Sequence, residues 1–160
     1  MTESEILALL NEIPDPEIPV ISVVELGVVR KIKSENEKVE ITITPTYSGC
    51  PALKRMEDDI KEKLTSVGIK EIIIHMVYSP AWTTDWLSVE TKEKLRKYGI
   101  APPEENTADK SFLLGTPKVV TCPRCKSKNT VLISQFGSTA CKALHQCKDC
   151  LEPFDYFKCI

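Results

Sequence analysis

The chain has 160 residues, 42% of them hydrophobic and 28% charged, with a formal net charge of -2. No apolar run approaches the ~20 residues that a helix needs to cross a bilayer, so a membrane-spanning segment is excluded and a globular chain expected. The length allows one ordinary domain, or one of about 100 residues with a small appendage, and the pattern along the chain favours the second. The opening MTESEILALLNEI is acidic and amphipathic, without the basic start of a secretory signal, and predicts a cytoplasmic protein.

Thr2 is placed to cap a first helix with Glu5 at the capping-box position, and Ile6, Leu9, Leu10 and Ile13 share one face before Pro14 and Pro16 end it. After DPEIPVIS, the run VVELGVVRKI sets Val24, Leu26, Val28 and Ile32 on one side. KVEITIT then alternates Val39, Ile41 and Ile43 with Glu40, Thr42 and Thr44. SENE between them reads as a turn, which makes an antiparallel hairpin with one wet face. From Pro51 the period becomes helical, with Leu53, Met56, Ile60, Leu64 and Val67 as the stripe and Gly68 at its end. KEIIIHMVY follows as a third strand, apolar on both faces and hence expected to be central, and a last helix runs from about Ser88 to Tyr98. The order helix, hairpin, helix, strand, helix predicts a small two-layer α+β domain over residues 1–100. His75, mid-strand among isoleucines, is expected to be a structural residue and not a ligand.

Residues 101–118 are rich in proline and polar residues and read as a linker. Beyond it, over 119–160, come CPRC at 122–125 and CKDC at 147–150, 21 residues apart. Seven cysteines, an odd count containing two Cys-x-x-Cys pairs, favour metal or thiol chemistry over a disulfide framework. Two such knuckles on neighbouring hairpins close a tetrahedral site, so Cys122, Cys125, Cys147 and Cys150 are expected to hold structural zinc in an all-β ribbon, with iron as the other ion suited to four thiolates. Cys141, His145 and Cys159 are left as core or surface residues. Residues 1–117 carry 14 Lys/Arg against 20 Asp/Glu, whereas 118–160 carry 7 against 3. A divalent ion with four thiolates subtracts two charges from that basic tail, which makes a weak case for nucleic acid.

Three loops carry the remaining candidates. Asp15 and Glu17 lie in PDPEIPV, Cys50 in TYSGCPA, and Trp82 and Thr83 in SPAWTTDWLS. Cys50 stands beside a helix N-terminus, a setting that favours thiolate over thiol. A buried filler is the other reading of a cysteine at a strand-to-helix junction. There is no Gly-rich phosphate loop, nucleophile elbow or His-rich triad, so an independent enzyme is not expected.

Taken together, DPEIPV, ELGVV, TPTYSGCPA and SPAWTTDW resemble the small iron-sulfur assembly domain family. With the tail CPRCKSKNTVLISQFGSTACKALHQCKDCLEPFDYFKCI, the chain is similar to the branch of that family that accompanies bacterial phenylacetyl-CoA epoxidase. The resemblance implies a non-catalytic accessory factor of phenylacetate catabolism that helps to assemble or insert an iron-sulfur cluster into the reductase component, or a scaffold of the complex without cluster chemistry. It implies that Cys50 is an exposed functional thiol with Asp15, Glu17, Trp82 and Thr83 as neighbours. One cysteine cannot hold a cluster, so a transient cluster implies further ligands from a homodimer or from the epoxidase partner.

Overall fold

The computed structural model describes residues 1–35, 37–103 and 119–158, and the chain divides into two units, Met1–Thr91 and Lys92–Ile160. In the first, helix α1 (Glu3–Leu10) is opened by the expected capping box: Thr2 Oγ1 accepts the Glu5 N–H at 3.2 Å, and Glu5 Oε2 accepts the Thr2 N–H at 2.7 Å. Strands β1 (Val29–Glu35) and β2 (Lys38–Ile43) form the antiparallel hairpin. Helix α2 (Ala52–Ser66) follows, then strand β3 (Glu71–Met76), a single 3-10 turn (Thr84–Trp86) and helix α3 (Val89–Tyr98), within which the division between the units falls.

Strict alternation in β2 sends Val39, Ile41 and Ile43 to one face, where they are buried. The α2 stripe of Leu53, Met56, Ile60 and Leu64 is buried with them, as are Ile6 and Leu10 of α1. Two helices on one face of a three-stranded sheet give the expected two-layer α+β unit. The opposite face stays polar, with Lys33 opposite Glu40 and Thr42 opposite His75.

Three local expectations change. The sheet order is β1-β2-β3, so β2 is central and β3, paired parallel to it, is an edge strand. Its apolar character on both faces reflects partial burial of each face, not a strand on either side. The run from Val23 to Val28 is not strand: Leu26 N–H donates to Ser22 O at 2.9 Å and Gly27 N–H to Val24 O at 2.9 Å, forming turns. Gly27 takes φ +78°, and a Cβ there would stand 3.3 Å from Trp86 Cβ, so both the backbone and the space call for glycine. His75 is exposed, with Nε2 3.7 Å from Glu40 Oε2 on the wet face, and is not packed.

The second unit is a four-stranded sheet in the order β4-β7-β6-β5, made of β4 (Ile100–Ala101), β5 (Thr130–Ser134), β6 (Lys142–Cys147) and β7 (Pro153–Phe157). Ile100 and Ala101 pair with Asp155 and Tyr156, so the expected end of the first domain at 100 and start of the linker at 101 are corrected: both residues belong to the ribbon sheet, drawn there by backbone pairing with β7. From 104 onward the expected linker lies outside the described residues, as does Cys159. One cluster of its core holds Ala101, Val120, Ala143, Phe154 and Tyr156 with Cys122 and Cys147, and Leu95, Ile100 and Phe157 are buried as well. This is still a small core for a four-stranded sheet, and a metal is the usual supplement at that size.

The turn between β5 and β6 is equally tight. A Cβ at Gly137 would fall 2.5 Å from Asp155 Oδ1 and 3.3 Å from Lys142 Cβ. Asp155 Oδ1 is the outer end of a half-buried side chain that can turn aside, so Gly137→Ala is predicted to cost about 1 kcal/mol, the low end of the overpacking range, through the Lys142 Cβ contact. Hydrogen exchange on the intact protein should show that loss in β6 and β7 and not in α2. Unchanged protection in the ribbon would contradict it.

Candidate functional site

The register of the first sheet decides where the three candidate loops go. β1 runs antiparallel to β2 and β3 parallel to it, so the start of β1 and the ends of β2 and β3 lie at one end of the sheet. Backbone bonds continue the ladder past the strands there: Thr44 N–H donates to Val28 O and Val77 N–H to Ile43 O, each at 2.9 Å. The loop carrying Cys50 leaves from β2 and the loop carrying Trp82 and Thr83 leaves from β3. The segment 13–28, which carries Asp15 and Glu17, enters β1 and is tied back on itself by the bridge between Pro14 and Ser22.

Each candidate has a local structural job as well. Asp15 is buried, and its Oδ1 accepts the N–H groups of Glu17 at 2.9 Å and Ile18 at 2.7 Å, which fixes the turn. Glu17 is half-buried on that turn. Trp82 is buried, and its Nε1 donates to Leu26 O at 2.8 Å, binding the third loop to the first. Arg30 lies over the Trp86 ring at 3.7 Å from the centroid and reinforces the same junction. Thr83 Oγ1 accepts the Asp85 N–H at 3.3 Å and caps the 3-10 turn.

Cys50 sits one residue before Pro51, the N-cap of α2, with its carbonyl accepting the Leu53 N–H at 3.3 Å. It is a free thiol, and only 7% exposed, so the exposed thiol implied by resemblance is corrected to a nearly buried one. The cause is local: Ala52 and Leu53, the next buried residues, pull the start of α2 onto the core and draw Cys50 in with them. No side chain caps α2 and no acid occupies its first turn, so the positive end of the helix faces the Cys50 segment uncompensated. Thr44 was missed by sequence reasoning. The alternation of β2 places it on the wet face, yet it is buried and its Oγ1 has no hydrogen-bond partner. An unsatisfied buried hydroxyl at the mouth of the Cys50 loop is a donor open to a water or ligand.

In the ribbon, Cys122, Cys125, Cys147 and Cys150 bring four sulfurs within 4.8 Å of one another. The Cys122–Cys150 and Cys125–Cys147 separations are 3.7 and 3.5 Å. Disulfides need about 2.05 Å, whereas a tetrahedron with ~2.3 Å metal–sulfur bonds has sulfurs about 3.8 Å apart. The two knuckles also repeat one another. The N–H of the first cysteine donates to the carbonyl five residues on, Cys122 to Ser127 and Cys147 to Glu152, both at 2.9 Å. The residue after the second cysteine is left-handed in each, Lys126 at φ 64° and Leu151 at φ 63°. A strained turn repeated twice around one sulfur cluster is a metal-binding group, with no ligand position left for water. Cys141 lies outside it, against Thr139 Oγ1 at 3.0 Å, and so does His145, stacked on Phe154.

Comparison with known proteins agrees with both units. Residues 106–158 match the family described as PaaD zinc beta ribbon domain, and residues 3–72 that described as Iron-sulfur cluster assembly protein. A protein of Escherichia coli (strain K12), provisionally named as one of the subunits of 1,2-phenylacetyl-CoA epoxidase, is 51% identical over 98% of this chain and 92% of its own. This chain belongs to the PaaD family. The first unit is shared more widely: an Fe-S protein maturation auxiliary factor of Porphyromonas gingivalis is 34% identical over 59% of the PaaD-family chain and 90% of its own. Among solved structures, a Domain of Unknown Function DUF59 from Bacillus anthracis superposes with a TM-score of 0.54 at 33% identity, over 58% of this chain and 90% of that one.

In the metal-free chain the Cys125 and Cys147 thiols do not ionise alike. Cys147 is lowered to about 7, first by the Cys150 N–H. For Cys125 the Ser127 N–H acts downward, but desolvation and the surrounding sulfurs push it up to about 12. A metal must therefore displace protons on binding, and acid favours release. Zinc affinity, measured by competition with a chromophoric chelator, is predicted to rise steadily from pH 6 to 8. A flat profile would contradict four-thiolate ligation.

Proposed function

We propose that this chain is a non-catalytic maturation factor for a multicomponent phenylacetyl-CoA epoxidase. Its task is to assist iron-sulfur cluster assembly or insertion into the reductase component. The observation that carries the reading is the sheet register, which gathers the Asp15–Glu17, Cys50 and Trp82–Thr83 loops at one end of a fold shared with Fe-S maturation factors. In this reading the first unit acts on the metal and the ribbon, its zinc held by Cys122, Cys125, Cys147 and Cys150, docks the client.

Cys50 is the working thiol. A soft sulfur ligand beside an uncapped helix N-terminus suits transient iron-sulfur ligation, and near burial protects it from oxidation between encounters. Asp15 holds the turn that presents Glu17, while Trp82 and Thr83 fix the third loop. Because one thiol cannot hold a cluster, the remaining ligands come from the client or from a second copy in a homodimer. The setting is cytoplasmic, with no membrane or nucleic-acid partner. No described helix is long and apolar enough to cross a membrane.

A second reading, a scaffold of the epoxidase without cluster chemistry, is favoured by one observation, the 7% exposure of Cys50. Cells lacking the native gene and complemented with Cys50→Ser separate the two. The maturation reading predicts a soluble variant with normal tail metal and a loss of epoxidase activity of at least about tenfold, the size expected when a metal-contacting group is removed. Full activity would leave the scaffold.

A further inference from the structure

Strand β5 is the outer edge of the ribbon sheet, and its exposed side chains are apolar. Leu132 is 42% exposed, Ile133 54% and Phe136 66%. Edge strands are ordinarily protected by charge, proline or a bulge; Thr130–Ser134 has no charge or proline, and its irregularity lies between Leu132 and Ser134. Instead the charges stand at its two ends. Lys128 precedes it, and Lys148 lies alongside through its N–H bond to Asn129 O at 2.8 Å. Lys158 Nζ sits 4.5 Å from the centre of the Phe136 ring at the far end.

The acids described between 119 and 158 each have a partner. Glu152 pairs with Arg124, Asp149 accepts from Ser127 Oγ and Asn129 Nδ2, and Asp155 accepts from Ser138 Oγ. Among the described residues no ion pair engages Lys128 or Lys148. The result is an apolar stripe bracketed by cations that lack counter-charges.

A second copy of the chain does not fit it. Antiparallel pairing of two β5 strands centred on Leu132 would set Lys128 of one against the Phe136–Lys158 end of the other, like charge on like. The register also slips between Leu132 and Ser134, leaving Ile133 unpaired, so an occupant of this edge is held by side chains and not by a continuous backbone seam.

We propose that the β5 edge, through Leu132, Ile133 and Phe136, docks a short extended segment of a client protein that is apolar in its middle and acidic at both ends. The proposal deepens the docking part of the reading above and rests on it, but does not depend on Cys50.

The test uses the full chain with its tail metal and three fluorescent eight-residue peptides: Glu-Asp-Val-Leu-Val-Leu-Asp-Glu, the same sequence flanked by lysines, and the same acids around four serines. The expected result is anisotropy binding of the first alone, weakened by salt. Ile133→Ser with Phe136→Ser should weaken it about tenfold or more, as removal of apolar anchors does. Lys128→Glu with Lys148→Glu, two exposed changes that spare the core, should do the same. Cys50→Ser should bind as the parent does, so failure of the cluster chemistry and failure of this surface are told apart. The proposal is overturned by absence of binding, by equal binding of the lysine-flanked or serine peptide, by indifference to both double substitutions, or by a dimer that either double substitution dissolves.

Discussion

Everything in the first unit depends on how β2 is paired. Held antiparallel by β1 and parallel by β3, it has its C-terminal end flanked by the entry to one neighbour and the exit from the other. The bonds from Thr44 N–H to Val28 O and from Val77 N–H to Ile43 O extend that pairing beyond the strands, so that three loops leave from a single rim. Had β3 been antiparallel, the Trp82 loop would leave from the opposite end of the sheet. The Trp82 indole bond to Leu26 O and the closeness of Gly27 to Trp86 then lock two of those loops together. The rim is thus set by backbone geometry and held by tryptophan packing.

The ribbon solves a different problem. Eight apolar or aromatic residues besides its cysteines are buried among the described residues of this unit, a small core to set against the entropy of ordering a four-stranded sheet. A metal held between the two strained knuckles would add the missing cross-link. The thiols accordingly divide by place. Four form one sulfur cluster able to hold an ion, Cys141 is packed in the ribbon, and Cys50 alone lies in the first unit among the described residues. A cluster at the rim, as proposed, would take its further ligands from another chain.

Much of this was legible in the sequence because the strongest signals are short-range. Thr2 with Glu5, the alternation from Val39 to Ile43, the α2 stripe and the two Cys-x-x-Cys pairs all specify their geometry within a few residues. What was not legible depends on partners distant in sequence. An apolar β3 reads the same at an edge or in the centre until its partner is known. The 23–28 run alternates like a strand, but tryptophans over 50 residues away bury it as turns, with Gly27 the single local warning. The depth of Cys50 and the unsatisfied hydroxyl of Thr44 likewise follow from how α2 and the loops close over the rim, which no periodicity encodes.

On the proposed function, rim and ribbon are separate metal-handling centres, one transient and one structural. Anaerobic reconstitution of the parent and of Cys50→Ser with iron and sulfide, followed by metal analysis and ultraviolet-visible spectroscopy, tests it directly. The account predicts equal zinc in both proteins, resistant to exchange, and iron-sulfur absorbance in the parent that is lost with Cys50. Equal iron in the two, or zinc lost with Cys50, would contradict it.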